Sequence, residues 1–184
     1  AETETEAADE PEPAQFEQAT VDRLEEMVGE RVRLEGEIAS ARQTSGPTVF
    51  QLRDETGTVE CAAFEEAGVR AYPEAGEDDV VRIEGEVERR RGDLQVETEA
   101  LVLLEDDERE AVTSRMEEAM VKRATPGEFD PLADDAAVEA VSEGIRDAAT
   151  AIRRAVLEGR PVVVRHAATA DGYAASAAIE RATL

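Results

Sequence analysis

Phe50 to Val59 reads FQLRDETGTV, inside the longer run TVFQLRDETGTVECAAF from Thr48 to Phe64. The run has a period of two, the period of a strand whose faces meet different surroundings. Phe50 and Leu52 fall on one face, and Val49, Gln51 and Arg53 on the other. Asp54, Glu55, Thr56 and Gly57 interrupt the alternation with turn-forming residue types, Gly57 being free to take positive φ. Val59, Cys61 and Ala63 resume the apolar face, so the run predicts a β-hairpin. The expected register buries Phe50 and Leu52. It leaves Val49, Gln51 and Arg53 on a wetter face, with Glu60 and Ala62 beside them.

The same period continues on both sides. Upstream, RVRLEGEIASAR (residues 31–42) spaces Val32, Leu34 and Ile38 among polar neighbours. Downstream, VVRIEGEVERRRGDLQVETEALVLL (residues 80–104) reads as a second hairpin. Val81, Ile83 and Val87 lie on its outward strand, RRRGD forms its turn, and Leu94 and Val96 lie on the return. EEAGVRAYPEAGEDD, between the hairpins, is a loop or a short helix. Five strands within residues 30–104, with one irregular insert after the third, outline a small Greek-key barrel. Ahead of them, Thr20 is placed to cap a short helix, VDRLEEMVG, with Val21, Leu24 and Val28 on one face and Gly29 at its end.

Helical periods follow. Residues 105–123 space Val112, Met116 and Met120 four apart, and ATPGEFDPLADD then breaks the chain with two prolines and a glycine. Residues 134–158 carry Val138, Val141, Ile145, Ile152 and Val156 on one helical face. PVVVRH is the apolar pattern of a strand buried on both faces of a parallel sheet. A helix start at Gly172 follows, with Ala175, Ala178 and Ile179 expected to pack on that strand. The expected fold class is therefore a β barrel plus α/β. Residues 1–19 are a disordered acidic linker, 20–104 the barrel, 105–133 a helical linker, and 134–184 the start of an α/β domain. The opening at Ala1 and the apolar helical pattern at the other end read as a piece of a longer protein.

The chain has 184 residues and a net charge of −25, with 45 acidic residues, and Lys122 is its single lysine. Such dense carboxylate resembles the proteins of salt-in halophilic archaea, in which acidic surfaces hold hydration while salt screens charge. Residues 1–19 alone carry seven acids and no base. Cys61 is the only cysteine, which leaves no internal disulfide and no cysteine-based zinc site. No run of 18 apolar residues occurs. No membrane partner and a cytoplasmic location are expected.

FQLRDETGTV also has the form F-x-L-R-D-x-x-G-x-V, and VVRIEGEVERRRGDLQVE contains G-x-V-x-x-R-x-G-x-x-x-V. Over residues 30–104 the chain resembles the OB-fold of the anticodon-binding type. The resemblance implies a single strand of DNA or RNA lying across the second and third strands, between two flanking loops. Arg42 would stand by one loop, Gln51 and Arg53 on the strand face, and Arg89, Arg90 and Arg91 at the other loop. Relatives that read tRNA often carry a stacking aromatic where Val49 stands and a glutamine where Glu60 stands. Arg89–Arg91 read alternatively as a solvated tip paired with nearby glutamates.

RPVVVRHAATADGYAASAAIERATL, Arg160 to Leu184, resembles the first motif of the DHH phosphoesterases, the superfamily of RecJ single-strand nucleases. With the OB-fold before it, the chain resembles the archaeal, haloarchaeal RecJ-like group. That resemblance implies Mn²⁺ or Mg²⁺, because two ions about 3.5–4 Å apart clamp the attacking water and the scissile phosphate. Asp171 and His166 are the candidate ligands. The family spacing D-x-D-x-D-G falls on Ala167, Thr169, Asp171 and Gly172, so two expected acids are replaced. A helix N-cap role for Asp171 and a strand-end role for His166 stay open beside the metal role. The intact protein is then either a metal-dependent exonuclease or a non-catalytic scaffold of a replication or repair complex, and a simple OB protein with an unrelated α/β tail is the third possibility. This segment is not active alone on either reading.

Overall fold

The computed structural model describes residues 15–65, 69–128 and 135–183. The first compact unit runs to Met116 and the second starts at Glu117. In the first unit, β1 (Glu17–Gln18) leads into a 3-10 helix (Val21–Glu26). Then come β2 (Arg31–Gln43), β3 (Thr48–Arg53), β4 (Thr58–Ala63), β5 (Val80–Arg90) and β6 (Asp93–Leu103). The sheet order is β1-β2-β3-β4-β6-β5, and β5 pairs back onto β2, so β2 to β6 form a closed five-stranded barrel. Its order and its single parallel closure, β4 with β6, are those of an OB-fold.

Closure depends on β2. Residues Arg31–Glu37 pair with β5, and residues Glu37–Gln43 pair with β3. A strand serving two partners must bend, and it bends beside Gly36, with a register shift between Ile38 and Ser40. A Cβ on Gly36 would stand 2.3 Å from the Arg53 carbonyl oxygen. Gly85 marks the matching register shift in β5, where a Cβ would lie 2.1 Å from the Glu97 carbonyl oxygen. At both points one backbone lies where any side chain would be.

The interior is filled by the residues that alternation places inward. Phe50, Leu52, Leu34, Ile38, Ile83 and Val87 are fully buried. Cys61 is buried among them, which pushes its thiol pKa far above the usual range. Asp54 locks the β3–β4 turn to the preceding helix. Its Oδ1 accepts from the Thr56 and Gly57 amides at 2.7 and 2.9 Å and from the Thr56 hydroxyl at 2.7 Å. Its Oδ2 accepts from the Val21 amide at 2.7 Å.

Four sequence expectations change here. Asp54, rather than Thr20, caps the short helix, and the Thr20 hydroxyl instead donates to Asp22. Because that helix is 3-10, Leu24 and Met27 turn inward and Val28 is exposed. Order also begins before residue 20: β1 lies in the stretch read as linker, pairs with Val32 and Arg33 of β2, and is followed by buried Ala19. Residues 1–14 lie outside the described residues. Val49 is buried as well, although alternation puts it on the outer face. The Arg42–Glu60 ion pair reaches from β2 to β4 across β3, and Ala62, its β4 partner, is fully buried too.

α1 (Asp106–Ala124) packs Val112 against Val80 and Leu104 of the first unit. In the second unit, α2 (Ala136–Leu157) is capped by Asp135, whose Oδ1 accepts from the Ala137 amide at 2.8 Å. Its apolar stripe is largely open, with Val141 and Ile145 exposed. α3 (Ala170–Thr183) turns Ile179 toward Ile152 and Val156 of α2. The expected strand at Val162–Val164 is irregular backbone without ladder partners, and Val163 is 77% exposed. A parallel strand needs neighbours for its amides and carbonyls, and among the described residues none lies beside it. Among the described residues the expected α/β unit is not formed.

If Gly36 sets the closure, Gly36→Ala should cost about 3 kcal/mol or more, because backbone rather than a movable side chain opposes the new methyl. Gly127→Ala, at a site with nothing within 4 Å, should change stability little. Urea unfolding of both variants checks the difference.

Candidate nucleic-acid interface

Strand register sets the residues of the outer face in rows. Ser40, Gln51 and Glu60 form one row across β2, β3 and β4, and Glu37, Arg53 and Thr58 form another. Gln51 and Arg53 are exposed, as alternation requires. Arg42 stands at the end of β2, next to the β2–β3 loop. Each of these two arginines holds a carboxylate: Arg42 bonds Glu60 at 2.5 Å and Arg53 bonds Glu37 at 2.5 Å.

The β5–β6 turn supplies the other cations. Arg91 and Gly92 form its two-residue loop, with φ of 57° and 102°. Two positive φ values in sequence are the geometry that matches strand twist in a hairpin, but they are costly for arginine. Arg89 folds back onto Glu25 of the 3-10 helix and onto the Gly92 carbonyl. Arg90 and Arg91 are exposed, and their side chains have no ion-pair or hydrogen-bond partner among the described residues. A cleft of about 530 Å³ lies between this turn, the 3-10 helix, the second half of β3 and the start of β4, lined by Leu24, Gln51, Glu60, Arg89 and Leu94 among others. Further round the barrel, Glu86 of β5 stands opposite Glu97 of β6. Desolvation, together with Glu88, Glu86 and Glu99, raises the Glu97 carboxyl above the usual carboxylate range.

The arginines were legible as residue types, but their partners were not. Glu37 follows from the register opposite Arg53. Glu25 reaches Arg89 from 64 residues away, and no local pattern announces that contact.

The terminal turn is arranged otherwise. Thr169 caps α3: its Oγ1 accepts from the Gly172 amide at 3.2 Å. Asp171 stands exposed in the first turn, with no hydrogen-bond or ion-pair partner among the described residues. His166 is exposed, with Nδ1 2.9 Å from the Ala167 carbonyl oxygen and its ring edge-on to Tyr173, centroids 4.7 Å apart. A Cβ on Gly172 would lie 2.2 Å from the Ala167 carbonyl oxygen, so the tight turn requires glycine there. Among the described residues, no group of three or more His, Cys, Asp or Glu is placed to hold a metal ion. His166 and Asp171 thus amount to two donors, short of a complete site.

Residues 32–104 match the tRNA anti-codon family, an OB-fold nucleic acid binding domain. An uncharacterized protein of Methanocaldococcus jannaschii is 41% identical over 162 residues, 88% of this chain and 21% of that protein. The chain therefore spans about a fifth of the length of this curated relative. Among solved structures, asparaginyl-tRNA synthetase from Pyrococcus horikoshii is similar with a TM-score of 0.41 at 22% identity, over 50% of this chain and 24% of that one. A domain of replication protein A from Methanococcus maripaludis is similar with a TM-score of 0.42 at 18% identity, over 49% of this chain and 98% of that one. Among the described residues, no helix is long and apolar enough to cross a membrane.

The left-handed Arg91 gives a clear stability test. Arg91→Asn should raise stability by about 0.5–1 kcal/mol, since asparagine tolerates this conformation better. A lower melting temperature in that variant would show that the Arg91 side chain has a stabilising partner.

Proposed function

We propose that the barrel binds single-stranded nucleic acid, DNA or RNA, across the exterior of β3 and β4, between the β2–β3 loop and the β5–β6 turn. The observation that carries this reading is the pair Arg90 and Arg91. They are unpartnered guanidiniums among the described residues, at the edge of a face whose other arginines are occupied. In a chain of net charge −25, such a turn is a local attraction for phosphate. The family match over residues 32–104 supports the same reading. The buried Val49 leaves no aromatic at the expected stacking position, so phosphate contacts and the hydrogen bonds of Gln51 contribute most on β3 itself.

For the remainder of the protein we propose a RecJ-like, metal-dependent phosphodiesterase domain of the DHH class, to which the barrel delivers its strand. The order helix, apolar segment, tight turn and helix around ADG supports this. Asp171 and His166 would be ligands to Mn²⁺ or Mg²⁺ only if residues beyond this chain complete the set. A second reading, a scaffold within a replication or repair complex, is favoured by Ala167 and Thr169 at positions where the family spacing places acids. On either reading the protein acts in the cytoplasm. Degradation of labelled single strands by the intact protein in Mn²⁺ separates the two: loss of label favours the nuclease, and an intact strand the scaffold.

The binding reading is tested by Arg90→Ala/Arg91→Ala. Affinity for a labelled oligonucleotide should fall. The slope of log affinity against log salt should become shallower by up to about 1.4, at roughly 0.7 per phosphate contact on a single strand. An unchanged affinity and an unchanged slope would remove the turn from the interface.

A further inference from the structure

Phe64 is the aromatic residue that the acidic barrel leaves in water. The other rings described in this unit have partners. Phe50 is fully buried and meets Tyr72 edge-on at 6.5 Å between centroids, and Phe16 lies under the Arg31 guanidinium at 5.9 Å. Phe64 has no such contact among the described residues and is 50% exposed.

Its place in the fold gives that exposure a direction. Phe64 follows Ala63, the last residue of β4, which points into the core and pairs with Thr48. Continued one residue past the end of the strand, the alternation would turn Phe64 outward, to the side that carries Glu60 and Ala62, and its 50% exposure agrees with that direction. Thr48 pairs in turn with Gln43, next to Arg42 and the β2–β3 loop. Phe64 thus marks the loop end of the β3–β4 face. Thr58 and Glu60, at the start of β4, line the cleft shared with Arg89 and Gly92 and so mark the other end. The span between Thr58 and Phe64 is about 20 Å at roughly 3.3 Å per residue.

We propose that Phe64 is a base-stacking platform of this interface, its ring taking the face of an unpaired nucleobase while the β5–β6 turn holds phosphate at the far end. The proposal rests on the reading of the barrel as a single-strand binder and adds the residue that contacts the bases. Every base has a π face, so the contact is tolerant of sequence, and it contributes about five- to a hundredfold in affinity. The aromatic expected on β3 at position 49 is thereby replaced by one at the end of β4. Stacking neutralises no phosphate, so its removal leaves the salt dependence unchanged.

The chain contains no tryptophan, so Phe64→Trp introduces a single indole whose emission a stacked base quenches. The probe is a labelled oligothymidylate, with binding followed both by anisotropy of the label and by indole emission. The expected result is saturable quenching with the same Kd as the anisotropy. Phe64→Ala should bind at least fivefold more weakly, with an unchanged salt slope and melting temperature, and Phe64→Tyr should bind like the native chain. Binding by anisotropy with no quenching, and native affinity in Phe64→Ala, would overturn the proposal and leave the single-strand reading standing. Absence of binding in the native chain and in Phe64→Trp alike would instead sink the single-strand reading, and the role of Phe64 with it.

Discussion

The constraint on which the barrel depends is the sharing of β2 between two partners. Its first half pairs with β5 and its second with β3, and Glu37 at the junction faces Val80 on one side and Arg53 on the other. Only a residue without a side chain fits the approach of the Arg53 carbonyl at Gly36. From this bend follow the barrel's closure, the burial of Phe50 and Leu52 inside it, and the outward aim of Gln51 and Arg53. The Asp54 carboxylate then fixes the β3–β4 turn against the 3-10 helix, which closes one side of the cleft at the β5–β6 turn.

Charge decides which part of the exterior can meet a polyanion. Arg42, Arg53 and Arg89 each spend their guanidinium on a glutamate. Exposed pairs of this kind are weak, about 0–1 kcal/mol, so a phosphate can displace the carboxylate, but the freed glutamate then repels the strand. Arg90 and Arg91 face no such competition. Arg91 is held at positive φ on the two-residue turn, a local cost, and Arg90 ends β5 beside it. The turn thus adds two exposed guanidiniums to a barrel whose β5 and β6 carry the acid row.

The strands were legible because one face of each is buried and the period of two is then unavoidable. FQLRDETGTV and VVRIEGEV could be placed in register from residue types alone, and the glycine in RRRGD marked the right turn. What escaped depended on contacts distant in sequence. Val49 reads as an outer residue and is one, yet an ion pair from β2 to β4 spans the strand it lies on. The acidic composition around Glu17 conceals a two-residue parallel strand held by β2. The run PVVVRH has the composition of a central strand, but composition cannot provide the neighbours that a central strand requires. At the terminal turn, Thr169 rather than Asp171 caps the helix, a choice set by the turn at Ala167 and invisible in the ADG triplet.

The central claim is that the exterior of β3 and β4, with the β5–β6 turn, is the surface that meets a single strand. A titration of the ¹⁵N-labelled chain with a short single-stranded oligonucleotide, followed by amide NMR, reads this surface residue by residue. The amides of Gln51, Arg53, Glu60 and Arg90–Gly92 should shift together along one binding curve, while those of Glu84 and Glu86 on β5 and of α2 stay in place. Shifts confined to α2 and α3, or to the acid row of β5 and β6, would contradict the assignment.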